Sequence, residues 1–257
     1  MPFSPEQRAR TLERFEAHRR AWDRNPALRV LYAEWYGRIA GQLPAPSLGP
    51  RVELGSGPGF ARQFIPDLEL TDLVRAPWHD RELDAEALPY GDASLGAVVL
   101  FDVLHHLPSP RRFFAEAIRV LRPGGRLVMC EPYIGPMSYP VYKLFHEEPV
   151  DLGVDPLADQ VGPDARDPFD SNQAIPTLLF GRARSAFERD FPALAIRKVE
   201  HLAGPSYAAS GGFSRGPMLP MLLWAALNRL ETRLSGSLRR WAAFRMLVTL
   251  EIGGRRG

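Results

Sequence analysis

Apolar positions along the chain change their spacing several times, and each change marks an element. Leu12, Phe15 and Trp22 share one face among charges, and Leu28, Leu31, Tyr32, Trp35 and Ile39 repeat at helical spacing, so residues 4–43 read as two helices. Asn25-Pro26 divides them as an N-cap followed by a first-turn proline. From residue 51 the period drops to two: Val52 and Leu54 alternate with Arg51 and Glu53 as a short strand, and Leu68–Leu73 reads as another. Phe60, Phe64 and Ile65 form a short helix between them, ended by Pro66. Residues 92–102 are a nearly continuous apolar run, the kind buried on both faces of a parallel sheet. Ser109-Pro110 opens a helix with Phe113, Phe114, Ala117, Ile118 and Leu121 inward, and Arg122-Pro123-Gly124-Gly125 stops it before a strand at 126–131. Further on, Ser171-Asn172 is expected to cap a helix with Leu178, Leu179, Ala183 and Phe187 inward, followed by a strand at 195–202. An apolar-rich helix at 218–234 comes next, and a last strand at 246–252 is expected antiparallel at the sheet edge.

The first strand runs into Glu53-Leu54-Gly55-Ser56-Gly57-Pro58-Gly59-Phe60, a glycine-rich turn that brings backbone close to a ligand without a Cβ in the way. A phosphate-binding P-loop is excluded because no lysine follows, and the dinucleotide fingerprint is opposed by Phe60 where its third glycine would stand. By itself such a turn suits several α/β proteins. Asp72, at the C-terminal end of the second strand, is placed to accept both hydroxyls of a ribose.

The Glu-x-Gly-x-Gly-x-Gly pattern resembles the first motif of class I S-adenosylmethionine-dependent methyltransferases. Asp84-Ala85-Glu86-Ala87-Leu88-Pro89-Tyr90, Leu104-His105-His106-Leu107 and Arg119-Val120-Leu121-Arg122-Pro123-Gly124-Gly125 resemble the later signatures of the bacterial type 11 members. Together these motifs cover residues 51–134. The resemblance implies a Rossmann-like seven-stranded sheet, mostly parallel with the last strand antiparallel, carrying N-terminal helices and two insertions. It also implies S-adenosylmethionine as cofactor. Glu53 is then expected near the cofactor's amino group, with Gly55, Ser56, Gly57 and Gly59 against its methionine part. Asp72 would take the ribose and Asp84 with the Ala85 amide the adenine, while Phe101 and Asp102 stand at the same edge.

The chain has 257 residues, enough for one elaborated domain. We divide it into a helical lid (1–45), a cofactor core (46–134) and a C-terminal half (135–257) with insertions at 135–172 and 203–244. The formal charge is +2, and scattered arginines are matched by 30 acids, so nucleic acid is not the expected partner. The Asn-Pro-Pro-Tyr of amino-methylating DNA enzymes is absent, with Phe101-Asp102-Val103-Leu104 in its place. Cys130 stands alone, so no disulfide and no cysteine-rich metal site are expected, and no metal ligands are assigned. No apolar run approaches a membrane span, and a cytoplasmic location is expected.

The expected acceptor is a small, hydrophobic or lipid-like metabolite. His105 and His106 stand where a base could take its proton, although such a pair also caps the next helix or holds the loop. His146, in the first insertion, is a further candidate base. Met218–Trp224 suits an apolar wall, a dimer contact or a peripheral membrane contact beside Arg229, Arg233, Arg239 and Arg240, as well as simple packing. The rival to an enzyme is a non-catalytic cofactor-binding regulatory or assembly protein of the same fold, because fold alone does not establish chemistry.

Overall fold

The computed structural model describes residues 3–159 and 170–253, so part of the first insertion (160–169) lies outside the described residues. Its centre is one seven-stranded sheet: β1 (Arg51–Leu54), β2 (Leu68–Asp72), β3 (Arg81–Glu82), β4 (Leu95–Phe101), β5 (Leu121–Pro132), β6 (Leu194–Leu202) and β7 (Arg245–Ile252). The order is β3-β2-β1-β4-β5-β7-β6, parallel from β3 through β5, with β7 antiparallel to both neighbours. The last strand is thus antiparallel as expected, but it is not the edge. It inserts between β5 and β6, and β6 takes the edge, half-exposed along its middle where β7 is buried almost throughout.

Alternation on the strands divides the core into two layers. Leu54, Val98, Leu100, Leu127, Met129 and Val248 face Phe113 and Phe114 of α3 (Pro110–Val120) and Phe187 of α6 (Arg184–Asp190). Val99, Phe101, Val128, Cys130 and Leu247 face the opposite way, toward Leu31, Trp35 and Ile39 of α2 (Pro26–Ala40) and Trp22 of α1 (Pro5–Arg24). Both N-terminal helices start where sequence places them. Ser4 and Gln7 form a reciprocal capping box, and Asn25 Oδ1 accepts the Leu28 amide while its Nδ2 donates to Ser210 O.

Local rules fail where the insertions begin. Asn172 does not cap a helix; its Oδ1 accepts from Asp151 N and Ala174 N, and the expected single helix becomes α5 (Ile175–Leu179) and α6, joined by a turn. The first insertion contributes α4 (Ser138–Phe145) and the second α7 (Pro205–Ala209), α8 (Met221–Thr232) and α9 (Gly236–Ala242). The short helix after the glycine turn is a single 3-10 turn at Ala61–Gln63. Among the described residues no helix is long and apolar enough to cross a membrane.

Candidate active site

The chain reverses its winding between β1 and β4, and paired ends of β2, β1 and β4 (Thr71, Leu54, Leu100) bring their following loops to one edge of the sheet. A cavity of about 730 Å³ opens there, large enough for a cofactor-sized ligand. Its floor is the glycine turn and its roof is α1, whose Phe15 ring lies 3.7 Å from where a Cβ on Gly57 would stand.

Gly55, Gly57 and Gly59 all have left-handed backbones, with φ of +69°, +49° and +76°. At Gly55 and Gly59 crowding adds a second reason. A Cβ would come within 2.5 Å of Val103 Cγ2 at the first and 2.4 Å of Trp78 Cδ1 at the second. The turn is pinned from both sides. Gly57 N donates to Asp72 Oδ2 at 2.9 Å, and Gly57 O accepts from Trp78 Nε1 and His79 Nε2, both at 2.8 Å. His79 Nδ1 accepts from Ala76 N, which leaves its proton on Nε2, and burial lowers its basicity.

Asp72 lies in the cavity wall with Val74 N on its Oδ1, and burial raises its carboxyl above the ordinary range. Each oxygen keeps a lone pair for a ligand hydroxyl. Ser56, Gly57, Phe101 and Asp102 also line the cavity. Glu53 sits just beneath it, fully buried. Its Oε1 accepts from Tyr36 Oη at 2.8 Å, its Oε2 has no hydrogen-bond partner, and desolvation pushes the carboxyl up to about 7. Asp84 is not on the wall. Its Oδ1 accepts from Glu86 N at 2.9 Å in a local turn, while its neighbours Leu83 and Ala85 face the cavity.

The other half of the cavity is built from distant segments. Four of the six histidines, His18, His105, His106 and His146, line it. His105 is clamped between carboxylates: Nδ1 is 2.8 Å from Glu131 Oε2 and Nε2 is 3.3 Å from Glu148 Oε2. Its pKa is set by burial working against these two partners, and the partners prevail, raising it to about 10. A charged imidazole with both nitrogens engaged cannot take a proton at neutral pH, so the geometry assigns His105 to holding the loop. His106 is lowered to about 4 by burial and by the charge on His105, and its Nδ1 donates to Asp170 O at 3.2 Å. His146 accepts the Glu148 amide on Nδ1 at 3.3 Å, leaving Nε2 as the proton-bearing nitrogen of the neutral ring.

Arg245 of β7 closes the back of this half. It is 1% exposed, ion-paired with Asp102, and its guanidinium lies 4.8 and 4.9 Å from the Trp35 and Phe101 ring centroids. Its Nε has no hydrogen-bond partner. Asp102 itself sits at φ +57°, a left-handed conformation that aspartate tolerates better than most residues.

Residues 52–129 match the family model described as a methyltransferase domain. This stretch is a class I methyltransferase domain. A stretch of 134 residues is 31% identical to 27-O-demethylrifamycin SV methyltransferase of Amycolatopsis mediterranei, over 44% of this chain and 49% of that protein. A 48-residue stretch is 46% identical to demethylmenaquinone methyltransferase of Clavibacter sepedonicus, 19% of this chain and 20% of that one. The chain thus spans half or less of the length of these relatives. Among solved structures, an S-adenosylmethionine-dependent methyltransferase of Thermotoga maritima superposes with a TM-score of 0.58 at 16% identity, over 95% of this chain and 99% of that chain, which is a likeness of fold.

S-Adenosylmethionine is the cofactor of such domains, and the residues present fit it. The Glu53 Oε2 atom is a buried acceptor in want of a cation beside the glycine turn, and Asp72 keeps two acceptor positions at the wall. In this methyltransferase domain the sequence motifs singled out the turn, Glu53 and Asp72, which the structure brings together at one end of the cavity. They missed Trp78 and His79, which act on Gly57 from a loop without a motif, and His18, Glu148 and Arg245, which reach the cavity from 34 residues or more outside the matched stretch or from an insertion. His18 alone left a trace, the helical phase it shares with Phe15 and Trp22.

Proposed function

We propose that this chain is an S-adenosylmethionine-dependent methyltransferase acting on a small, largely apolar acceptor. The observation that carries the proposal is one cavity with two unlike halves, a glycine-turn floor at the parallel strand ends and an aromatic chamber beside it. The chamber is walled by Tyr32, Tyr142, Phe213, Met218 and Phe244, and Glu148 and Asp102 in its wall are each paired, with His105 and with Arg245, which suits a hydrophobic molecule bearing one polar group. The relatives named for a rifamycin and a demethylmenaquinone support an acceptor of that kind.

The cofactor supplies a methyl group already activated by its sulfonium sulfur. The chain's residues do the rest. Glu53, the glycine turn and Asp72 hold the cofactor at one end, the aromatic wall orients the acceptor, and α1 excludes water from both. Orientation alone is worth effective molarities of ~10⁵ M or more, so a strong base is not required of the protein. Where the acceptor must lose a proton, His146 is the base we favour, because it lines the cavity without a carboxylate on its ring; its Nδ1 lone pair must first leave the Glu148 amide, 3.3 Å away. Exposed Leu222, Leu223 and Leu230 of α8, beside Arg229 and Arg233, support a peripheral membrane contact through which a lipophilic acceptor would arrive. Sedimentation with anionic lipid vesicles tests that contact; recovery of all the protein in the supernatant rejects it.

The test of the main proposal pairs calorimetric titration of S-adenosylmethionine with release of S-adenosylhomocysteine in the presence of lipophilic phenols, hydroquinones and hydroxylated polyketides. Binding with acceptor-dependent release is the expected result. Binding with no release from any acceptor or cell extract selects the rival, a cofactor-binding regulatory protein. No binding overturns both.

A further inference from the structure

We propose that His105, His106 and Glu148 form a binding site for one first-row divalent transition-metal cation, of the zinc, cobalt or iron(II) type, in the wall of the acceptor chamber. Two imidazoles and one carboxylate are the donor set such cations prefer. Among the described residues the three donor atoms lie within 4.8 Å of one another. His105 Nε2 is 3.3 Å from Glu148 Oε2, and His106 Nε2 is 3.7 Å from Glu148 Oε1; in the metal-free protein the His105 Nε2 proton lies between the first pair, and a bound cation would displace it to solvent. Ligands bound at about 2.1 Å in a tetrahedral site stand about 3.4 Å apart, so both separations from Glu148 are already close to those of a coordination sphere.

The surroundings strengthen the assignment, because each ligand is oriented from behind. Metal-bound histidines donate their second N–H to a carboxylate or a backbone carbonyl. His105 Nδ1 meets Glu131 Oε2 at 2.8 Å, and Glu131 is locked by Val103 N and Leu104 N on its other oxygen. His106 Nδ1 meets Asp170 O at 3.2 Å, and a carbonyl can only accept, so the lone pair of a neutral His106 is on Nε2. That lone pair faces an anionic oxygen, an arrangement that asks for a cation between them. Gln173 holds Glu148 through Nε2, and its own Oε1 is buried without a partner, a ready acceptor for a water on the metal.

All three ligands line the cavity, so the open coordination positions face the acceptor. A cation there would receive a hydroxyl or enol oxygen and lower its pKa, favouring the oxygen as the methylated atom. That use rests on the transferase proposal; the binding of the metal does not.

The experiment titrates metal-free protein with Zn²⁺ by calorimetry and with Co²⁺ by visible absorption. One equivalent of each should bind at micromolar concentration or tighter, with Co²⁺ showing the strong visible bands of a four- or five-coordinate ion. His106→Ala and Glu148→Gln should each weaken binding by ~100-fold or more, while His201→Ala, on β6 away from the cavity, leaves it unchanged. Thermal melts establish that each variant is folded. Binding weaker than about 1 mM, or binding indifferent to both substitutions, overturns the site. S-Adenosylmethionine is titrated separately, so that loss of cofactor binding counts against the transferase proposal and loss of metal binding against this one alone.

Discussion

The two halves of the cavity are built by opposite means. The cofactor half is made of loops that directly follow β1 and β2, and its shape is fixed by backbone: three left-handed glycines, and a Gly57 peptide held by Asp72 on one side and by Trp78 and His79 on the other. The acceptor half is made of side chains delivered by α1, both insertions and β7, and its shape is fixed by charge, through the Glu131–His105–Glu148 chain and the Asp102–Arg245 pair. A site made of backbone has little freedom to change its ligand. One made of imported side chains can be altered without disturbing the sheet, which is where variation of acceptor within one fold belongs.

If charge holds the acceptor half, removing the buried member of its Asp102–Arg245 pair should have the largest effect in the molecule. Arg245→Ala takes the cation from Asp102 and from the Trp35, Phe101 and Tyr207 rings and empties a fully enclosed site, and should cost about 3–5 kcal/mol of stability. Arg245→Met, which restores the volume, should cost less, because Asp102 is a third exposed and can turn to water. Urea unfolding of both variants measures the difference; a negligible loss in Arg245→Met would mean that packing, not charge, holds this half.

The cofactor half is tested by its glycines. Gly59→Ala meets Trp78 at 2.4 Å on top of backbone strain and should cost about 2–3 kcal/mol, with cofactor binding reduced in parallel. Gly57→Ala meets nothing closer than 3.7 Å and should cost only the left-handed strain, about 1 kcal/mol. A reversed order in thermal melts would show that the turn is shaped by its ligand and not by Trp78.

These contrasts explain what the sequence could and could not tell. A turn is a local object, so Glu53, Gly55, Gly57 and Gly59 carry their geometry in their spacing, and the apolar run at 95–101 announces a strand buried on both faces. Asp84 shows the limit of a motif: the segment is where it should be, yet the carboxylate turns to Glu86 N and leaves Ala85 at the wall. In the acceptor half a motif marks only His105 and His106, and nothing in it says what they meet. His146 and Glu148 are two positions apart in an insertion with no periodicity, and only folding brings Glu148 onto His105, 43 positions away in the chain. The same holds for β7, whose apolar pattern is equally that of an edge or an interior strand until β6 claims the edge.

A smaller effect ties Glu53 to its ligand. Burial raises its pKa from 4.5 to about 7, so the folded protein holds this proton more tightly than the unfolded chain. Stability from this group is therefore fully present below about 4.5 and is lost as pH rises toward 7, by ~3 kcal/mol at most. An ammonium group beside Glu53 Oε2 would reverse the preference and favour the carboxylate. The stabilisation given by S-adenosylhomocysteine should then be larger at about pH 8 than at about pH 6, by a few degrees in Tm, and Glu53→Gln should abolish the difference. An unchanged pH profile in that variant would remove Glu53 from the cofactor site.

The smallest effect concerns the element that belongs to both halves. α1 lays Phe15 over Gly57 and bonds Arg19 to Pro58 O at 2.8 Å, while on the acceptor side His18 stacks on Phe213 with ring centroids 4.4 Å apart. It buries only Thr11, Phe15 and Trp22, against seven residues on the shorter α2, so it is the more easily lifted of the two. If α1 is a lid, its contacts hold ligands in after they bind and contribute little to how fast they arrive. Phe15→Ala should speed cofactor dissociation several-fold, about 1 kcal/mol, with the association rate little changed. His18→Ala should leave cofactor dissociation alone and weaken only acceptor binding. Stopped-flow displacement of bound S-adenosylhomocysteine separates the two. Equal acceleration by both substitutions would mean that α1 moves as one rigid cover, and that the halves, built so differently, are opened by a single motion.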